Sequence, residues 1–520
     1  MFLSKIGKTY KDKRADCVIL ALYLCFILIS QILISDDFSK SFMWIGTVLI
    51  ALISFVIAPV IISVFSRIEI KSDGGTPGLK TRLLLYGIPL SVMIIYYIGY
   101  YPGGFGNDAY AQLMQYVSNC YSDWHPFIQT LLFICLPIKL TGGWPGSMIL
   151  FQVLVFSAAI GYAFESVFRY AGKRFTAVYM AYILLNPLLC FALNAWKDVA
   201  FAIGATILTS YALNIFFTGG AWIKKPLNLA AFVTVFVLTT LFRHNAVLFT
   251  VPLIFALFFR IPKKQFVIAL IAMAALFAGI KGPLYMAFSV DNPPMRQVEK
   301  LGLPLTVIGD AVTTCPDELD EDIVRFAYEV TPQQIWEDHY VSGSFNSVKW
   351  YDETDLNVIE EYGSGRIIDM MMRCFKECPL VCVSSVIELT EGTYTVTDPH
   401  FTDVTPRVEK NFFAIPFIPD KSPLLSLFYG AHTFVRTFFP HMLYFGAAML
   451  LLVISVLSRC SVTNVKDWRK ILLALPLAAY NGGTSLLMTG FNDSPRFFYY
   501  TVLVVPILLV IYYGKEEVTE

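Results

Sequence analysis

Acidic and imidazole side chains lie close together in one short polar segment, where they could move a proton during group transfer at a membrane surface. The segment spans residues 103–126 and contains Asp108, Asp123 and His125 between strongly apolar stretches. Ionisable groups at a membrane are costly and usually functional. A carboxylate held there can accept the proton of an attacking hydroxyl group, so a hypothesis about chemistry starts from this segment.

Long apolar runs on both sides of this segment predict an all-α polytopic membrane protein. Of the 520 residues, 56% are hydrophobic and only 15% are charged, and this apolar content is well above that of globular proteins. A helix of about 20 apolar residues can span a bilayer. By this criterion we predict about twelve transmembrane helices, at residues 17–35, 43–65, 83–101, 147–168, 175–193, 196–217, 228–242, 246–260, 264–289, 440–458, 471–490 and 499–513.

The stretch 127–140 is apolar but short, and Pro137 and Lys139 interrupt it. It either crosses the membrane as a thirteenth span or lies in the interface as a juxtamembrane helix. Positive charge favours the interface, because only then do the basic clusters of alternate loops, with more than half of the 39 Lys and Arg residues, fall on one side. The positive-inside rule makes that side cytoplasmic, with both termini in the cytoplasm and residues 103–126 outside the cell membrane.

Three regions follow from this topology. Residues 1–290 form an N-terminal transmembrane module with its first outer loop at 102–146, and residues 424–520 form C-terminal transmembrane helices. Between them, residues 291–423 carry most of the 39 acidic residues and are too polar to span a membrane. This region is longer than an ordinary linker, so we expect a small folded extracytoplasmic domain.

Three cysteines of the outer region, Cys374, Cys378 and Cys382, recur at every fourth position. A zinc site would need CxxC spacing or additional histidines. We therefore assign no metal ligands and favour a packed helix face, with one disulfide to Cys315 or Cys120 as an open alternative.

More charged and polar residues follow other predicted spans on the outer side: Lys197 and Asp198, Arg243 and Asn245, and Asp493 and Arg496. Each also has a purely structural explanation. Asp108 could cap a short helix at 109–117, the Lys–Asp pair could anchor the interface, Arg243 could reach lipid headgroups, and the Asp–Arg pair could bridge a turn. Their joint occurrence at one membrane face favours a single functional site.

The chemistry of such a site is limited by what reaches the outer membrane surface. No P-loop or dinucleotide-binding fingerprint occurs on a suitable strand and helix, so a nucleotide substrate is not indicated. A polyprenyl-phosphate sugar would instead present its phosphate at headgroup level, where Lys or Arg can bind the leaving anion. The net charge of zero argues against a nucleic-acid partner.

Short motifs in several parts of the chain resemble those of a known enzyme superfamily. They are GNDAYAQ, DWHPFIQTLL, YAGKR, NPLLCFALNAWKDVAFAIGATILTSYAL, LFRHNAVL, VEKLGLPLTVI and NDSPRFFYYTVLVVP. With these motifs the chain resembles integral-membrane glycosyltransferases of the GT-C superfamily. It is most similar to the bacterial family DUF6020, and more distantly similar to protein O-mannosyltransferases and aminoarabinose lipid A transferases. The resemblance implies a GT-C type helix bundle.

The resemblance also implies roles for individual residues. In the superfamily the first outer loop carries the catalytic acidic residue, and Asp108 matches that position. Mannosyltransferase relatives have an Asp-Glu pair where this chain has Asn107-Asp108, and by position Asp198 is the candidate second carboxylate. Lys197, Arg243 and Arg496 are candidates for binding the donor phosphate. Substrate-positioning candidates are Asn107, His125, Asn245 and Asp493. His125 precedes Pro126 and could equally orient the start of the interfacial helix.

These expectations describe a membrane glycosyltransferase that moves a sugar from a polyprenyl-phosphate-linked donor to an extracytoplasmic acceptor, namely a cell-envelope polymer, a glycolipid or a protein. Asp108 would act as general base while cations stabilise the departing phosphate. The alternative is a transporter or flippase of lipid-linked saccharides, which would need ionisable groups along a path through the bundle. The cofactor stays open, since the carboxylates could bind one divalent cation or none.

Overall fold

The fold is almost entirely helical. The computed structural model describes residues 2–34, 40–70, 75–293, 297–396, 406, 423–440, 444–491 and 494–514. Within these ranges the chain forms helices joined by short loops, and only isolated backbone bridges occur in place of strands. The prediction of an all-α fold is therefore confirmed.

The region before residue 291 contains the following helices: α1 (Phe2–Asp12), α2 (Arg14–Ile34), α3 (Lys40–Phe65), α4 (Leu79–Gly99), α5 (Asn107–Ser118), α6 (Phe127–Leu140), α7 (Gly146–Leu184), α8 (Lys197–Phe217), α9 (Pro226–Phe242), α10 (His244–Leu257) and α11 (Lys263–Ala287). Helix α6 is the stretch predicted to lie in the interface. It is too short to span a bilayer and includes a π-helical part at Thr130–Cys135.

The segment 291–423 and the C-terminal region supply the remaining helices. Those of the segment 291–423 are α12 (Gly302–Thr314), α13 (Glu321–Val330), α14 (Gln333–His339), α15 (Asn346–Lys349), α16 (Asn357–Glu377) and α17 (Pro379–Thr390). The C-terminal ones are α18 (Pro423–Phe438), α19 (Phe445–Arg459), α20 (Trp468–Ile471), α21 (Leu475–Leu487) and α22 (Pro495–Tyr513).

Seven of the described helices are long and apolar enough to cross a membrane: α2, α3, α4, α7, α8, α11 and α22. Four other apolar helices, α6, α9, α10 and α19, are shorter. The structure thus agrees with a multi-pass membrane protein, while the count of about twelve spans stays a prediction.

Two predicted spans, 147–168 and 175–193, correspond to two helical segments within the range given as α7. The segments meet in a kink at Gly172, where φ is 72°, ψ is −178° and the backbone is not helical. The α-helical part of α7 ends at Leu184, before Pro187 begins a 3-10 segment that runs to Leu193. Proline cannot donate the next helical hydrogen bond, which explains why the second predicted span ends early as an α-helix.

Helices α8 and α22 lie at the centre of the bundle, since 89% and 83% of the residues in their most apolar 18-residue stretches are buried. Helix α8 is rich in small residues, which allow close helix packing in membranes. A Cβ atom at its Gly204 would lie 2.1 Å from Thr239 Oγ1 of α9. The ends of these central helices therefore have little freedom to move, which makes them good positions for functional side chains.

Helices α12 to α17 pack around a hydrophobic core of their own. A disulfide joins Cys315 to Cys378, while Cys374 and Cys382 are buried and free. The open alternative of a disulfide to Cys315 is thus the one observed. Residues 397–405 and 407–422, in the last part of the predicted outer domain, lie outside the described residues.

Candidate active site

Backbone hydrogen bonds between two distant loops bring the start of α5 next to the start of α8. The Gly104 N–H donates to the Leu193 carbonyl at 2.8 Å, and the Ala195 N–H donates to the Gly104 carbonyl at 3.0 Å. Gln152 of α7 holds the second loop, because its Nε2 donates to the Asn194 carbonyl at 2.7 Å. The first residues of α5 and α8 therefore lie close together.

Two glycines make this close approach possible. Gly103 has a φ of 102°, which L side chains rarely adopt, and a Cβ atom there would lie 2.6 Å from the Leu193 carbonyl oxygen. A Cβ atom at Gly104 would lie 1.8 Å from Asn194 Oδ1. Any side chain at either position would push the two loops apart.

Asp108 is the centre of a small charged cluster. It is the second residue of α5, whose N-cap is Gly106, so the alternative in which Asp108 caps the helix is wrong. Its Oδ2 lies 3.7 Å from Lys197 Nζ and 3.7 Å from Arg496 Nη1. The Asp108 side chain is 31% exposed, so a substrate can reach it.

The electrostatics of this cluster favour an anion. Burial alone would raise the pKa of the Asp108 carboxyl, but the positive charges of Lys197 and Arg496 outweigh it and hold the pKa well below its usual range. Both Asp108 and Lys197 also lie in the first turn of a helix, where the helix dipole favours negative charge. Asp108 is therefore ionised at neutral pH and acts as the internal counter-ion of two cations.

His125 lies against the same lysine. Lys197 Nζ is 3.5 Å from His125 Nδ1. Burial, together with the positive charge of Lys197, lowers the pKa of His125 to about 4, although the nearby Asp108 acts in the opposite direction. The imidazole is neutral at pH 7 and can accept a hydrogen bond from Lys197 through Nδ1.

Asp198 follows Lys197 directly but faces the protein core. Its carboxylate forms an ion pair with Arg243, and the two side chains are only 2% and 7% exposed. In this arrangement neither side chain can reach a substrate without breaking a buried pair. The structure therefore does not place Asp198 as a second catalytic carboxylate or Arg243 as a phosphate ligand. Both lie in the protein core next to Lys197, where their ion pair supports the start of α8.

An aromatic ring connects the buried pair to the charged cluster. The guanidinium of Arg243 lies 4.0 Å from the centre of the Phe497 ring, and that of Arg496 lies 4.8 Å from the centre of the same ring. Cations are attracted to the faces of aromatic rings at such distances. Phe497 thus holds Arg496 in place through packing, and Arg243 supports Phe497.

The other predicted positioning residues have different surroundings. Asn107 is exposed and immediately precedes Asp108. Asn245 donates from Nδ2 to Thr484 Oγ1 of α21 at 2.9 Å, so it contributes to helix packing and not to the cluster. Asp493 lies outside the described residues.

A second buried carboxylate, Asp123, organises the entrance to α6. It accepts hydrogen bonds from Lys281 Nζ at 2.6 Å, from the Tyr285 hydroxyl at 2.7 Å and from the Phe127 N–H at 2.9 Å. His244 contacts the backbone carbonyl of the same residue through Nε2, at 2.9 Å. The sequence offered one signal for this arrangement, a lysine inside the apolar run of α11 that requires a buried partner.

Asp123 also connects the loop 102–146 to the start of the segment 291–423. Its N–H donates to the Asp291 carbonyl at 2.7 Å, and the Asp291 N–H donates to the Tyr121 carbonyl at 2.9 Å. These two hydrogen bonds hold the loop at Tyr121 and Asp123, just before His125.

The cluster around Asp108 suits an anionic ligand better than a divalent cation, because its two nearest charged partners are Lys197 and Arg496. Within the described ranges no group of three or more His, Cys, Asp or Glu side chains is arranged to hold a metal ion. Comparisons with known proteins add no assignment: no family model, no curated protein and no solved structure matches this chain.

Proposed function

We propose that the protein is a membrane glycosyltransferase of GT-C type, which transfers a sugar from a polyprenyl-phosphate-linked donor to an extracytoplasmic acceptor. The acceptor would be a cell-envelope polymer, a glycolipid or a protein. The observation that carries the proposal is the partly exposed Asp108 carboxylate between Lys197 and Arg496, at 3.7 Å from each. One base and two cations are what displacement of a phosphate by a hydroxyl group requires.

The proposed topology has about twelve spans, with both termini in the cytoplasm and the cluster on the outer side of the cell membrane. The disulfide between Cys315 and Cys378 supports this orientation, because disulfides persist in oxidising compartments. It lies in the domain that contacts the first outer loop through Asp123 and Asp291.

In the proposed reaction, the donor phosphate binds to Lys197 and Arg496. Asp108 takes the proton of the acceptor hydroxyl while that oxygen forms a bond to the anomeric carbon. The bond from the anomeric carbon to the phosphate oxygen breaks, and the electron pair stays on the phosphate. Direct displacement inverts the anomeric centre, and the two cations stabilise the negative charge that develops on the leaving group.

Binding of the donor would also strengthen the base. In the resting cluster Lys197 and Arg496 hold the pKa of Asp108 low, which makes it a weak proton acceptor. A bound phosphate neutralises the field of both cations, so the pKa of Asp108 rises toward its ordinary range. Asp108 thus occupies the phosphate-binding cations until the donor replaces it, and becomes a better base once the donor is present.

The neighbouring residues would position this machinery. Neutral His125 accepts from Lys197 and directs its ammonium group. Asp198 and Arg243 anchor the start of α8 to the Phe497 ring, which fixes Lys197 and Arg496 relative to each other. Asn107 is free on the surface side of Asp108, where it could contact the acceptor.

The location of the charges favours a transferase over a flippase. A flippase would need polar groups along a path through the bundle. The ion pairs described in the transmembrane module lie near helix ends instead. The carboxylates Asp108, Asp123 and Asp198 lie with their basic partners at one end, and Glu165 lies with Arg82 and Arg169 at the other. This distribution supports chemistry at one surface.

The proposal is tested by comparing envelope glycans of a gene-deletion strain complemented with wild-type protein, Asp108→Asn or Asp108→Glu. We expect loss of one glycan species with Asp108→Asn and partial recovery with Asp108→Glu. Asp369→Asn is the matched control, because its carboxylate is 69% exposed on the outer domain. Recovery of wild-type glycans by Asp108→Asn, at equal membrane abundance, would refute the base assignment.

A further inference from the structure

A polar cavity lies at the end of the bundle opposite Asp108. Helix α8 runs from Lys197 in the charged cluster to Phe217, and the cavity opens beyond that far end, beside the start of α9. Its volume is about 380 Å³, enough for a small ligand or a lipid headgroup. Its polar and aromatic lining consists of Tyr162, Arg169, Tyr211, Trp222, Lys225 and Asn228.

The charges around this cavity do not balance. Glu165 is the acidic partner of both Arg82, at 3.1 Å, and Arg169, at 3.2 Å. One carboxylate therefore faces two guanidinium groups. Lys225 adds a third positive charge, and among the described residues no carboxylate lies within ion-pair distance of it. An anion is the ligand that this excess of positive charge would attract.

The walls of the cavity are aromatic and carry hydroxyl groups. The rings of Tyr162 and Tyr211 are 5.5 Å apart, and those of Tyr211 and Trp222 are 4.8 Å apart. Aromatic residues with a polar tip are typical of the membrane interface, where one side is apolar and the other wet. The cavity therefore has the chemistry of the headgroup region.

One edge of the cavity is apolar and faces outward. Leu227, in the first turn of α9, is 80% exposed, and Ala231 lines the cavity one turn further along the helix. A ligand with both a phosphate and an aliphatic part could thus place the phosphate beside Lys225 and Arg169 and extend its chain over Leu227.

We infer that this cavity binds the phosphate group of an anionic membrane phospholipid. It lies on the membrane face opposite the candidate active site, which is the cytoplasmic leaflet under the positive-inside topology. The inference does not depend on the proposed glycosyl transfer, because it rests on a separate cavity and separate residues. Lys225 and Arg169 bind the phosphate, and the aromatic walls contact the glycerol backbone.

Native mass spectrometry of the purified full-length protein, titrated with phosphatidylglycerol or phosphatidylcholine, tests this binding site. We expect tight binding of phosphatidylglycerol, and about fivefold weaker binding for Lys225→Gln, as expected for the loss of one basic residue at an anionic lipid surface. Lys224→Gln is the matched control: it removes the same charge from the neighbouring exposed residue, which does not line the cavity. Equal affinities in both variants would overturn the inference.

Two further measurements separate the possible outcomes. The thermal midpoint of Lys225→Gln should equal that of the wild type, since the side chain is exposed, so weaker binding cannot be attributed to misfolding. Inorganic phosphate should displace phosphatidylglycerol poorly, because it lacks the aliphatic contacts with Leu227. Full displacement by inorganic phosphate would identify a free anion as the ligand and reject the lipid.

Discussion

Gly104 and Asn194 pack so closely that the loops before α5 and α8 form one unit. A Cβ atom on Gly104 would lie 1.8 Å from Asn194 Oδ1, and the Gly104 backbone bonds to both flanks of Asn194. Asp108 and Lys197 follow these loops within a few residues. Their separation is therefore set by backbone contacts, which are more rigid than side-chain contacts alone.

This contact predicts a large loss of activity for Gly104→Ala. The added methyl group must displace the Asn194 side chain or the loop, and either shift moves Asp108 relative to Lys197. A displacement of about 1 Å can reduce the rate on the order of a hundredfold. The measurement is the amount of glycan restored in the deletion strain, with membrane abundance determined in parallel.

Gly87→Ala is the control for the Gly104 substitution. Gly87 lies inside α4, and nothing lies within 4 Å of the position that its Cβ would take. Alanine is favoured over glycine in helices by about 1 kcal/mol, so this variant should retain full activity. Normal glycan levels in Gly104→Ala would show that the loop contact does not position the cluster.

The buried pair between Asp198 and Arg243 predicts a non-additive effect on stability. Asp198→Asn or Arg243→Gln alone leaves one uncompensated buried charge, which typically costs about 3–5 kcal/mol. The double variant removes both charges, so it should be less destabilised than the sum of the single variants. Thermal unfolding of the purified protein in detergent measures this difference.

The same double variant distinguishes a structural from a catalytic role of Asp198. Arg243→Gln and the double variant both lack the contact of Arg243 with Phe497, so they differ only at residue 198. If Asp198 only supports α8, the double variant should be at least as active as Arg243→Gln per amount of folded protein. A double variant that is more stable than Arg243→Gln but less active would support Asp198 as a second catalytic carboxylate.

The sequence predicts which polar residues converge but not which way they point. Apolar runs coincide with the seven described helices that are long and apolar enough to cross a membrane. Charge counting predicts Asp108, Lys197 and Arg496 on one face, and the structure brings these three side chains together. Lys197 and Asp198 were expected to act side by side. Consecutive residues on a helix point about 100° apart, so one faces the site and the other the core, and only the packing of α8 decides which.

Long-range pairing is the other feature that the sequence hides. Asp123 and Lys281 are bonded at 2.6 Å although 158 positions separate them. In the sequence, each is recognisable as an ionisable residue beside apolar stretches, where its charge is energetically costly. The local pattern does not identify its partner. The kink at Gly172, by contrast, falls between the predicted spans 147–168 and 175–193, so the apolar pattern does locate this break.

The disulfide of the outer domain predicts a measurable contribution to its stability. Cys315 and Cys378 are 63 positions apart, and closing a loop of that length restricts the unfolded chain, typically by about 2–4 kcal/mol. Replacing both with serine should lower the thermal midpoint of the protein. Cys120→Ser is the control, because Cys120 is free and exposed. Equal midpoints in the two variants would contradict this role.

The low pKa of His125 predicts that the protein loses stability in mild acid. The folded pKa of about 4 lies below the ordinary value of 6.5, so the neutral imidazole contributes stability above pH 6.5 that is lost as the pH falls toward 4. A shift of this size corresponds to about 3 kcal/mol. Thermal midpoints at pH 7 and pH 4.5 should therefore differ less in His125→Gln than in the wild type, while the exposed His339→Gln should behave as the wild type. An undiminished pH dependence in His125→Gln would mean that other groups cause it.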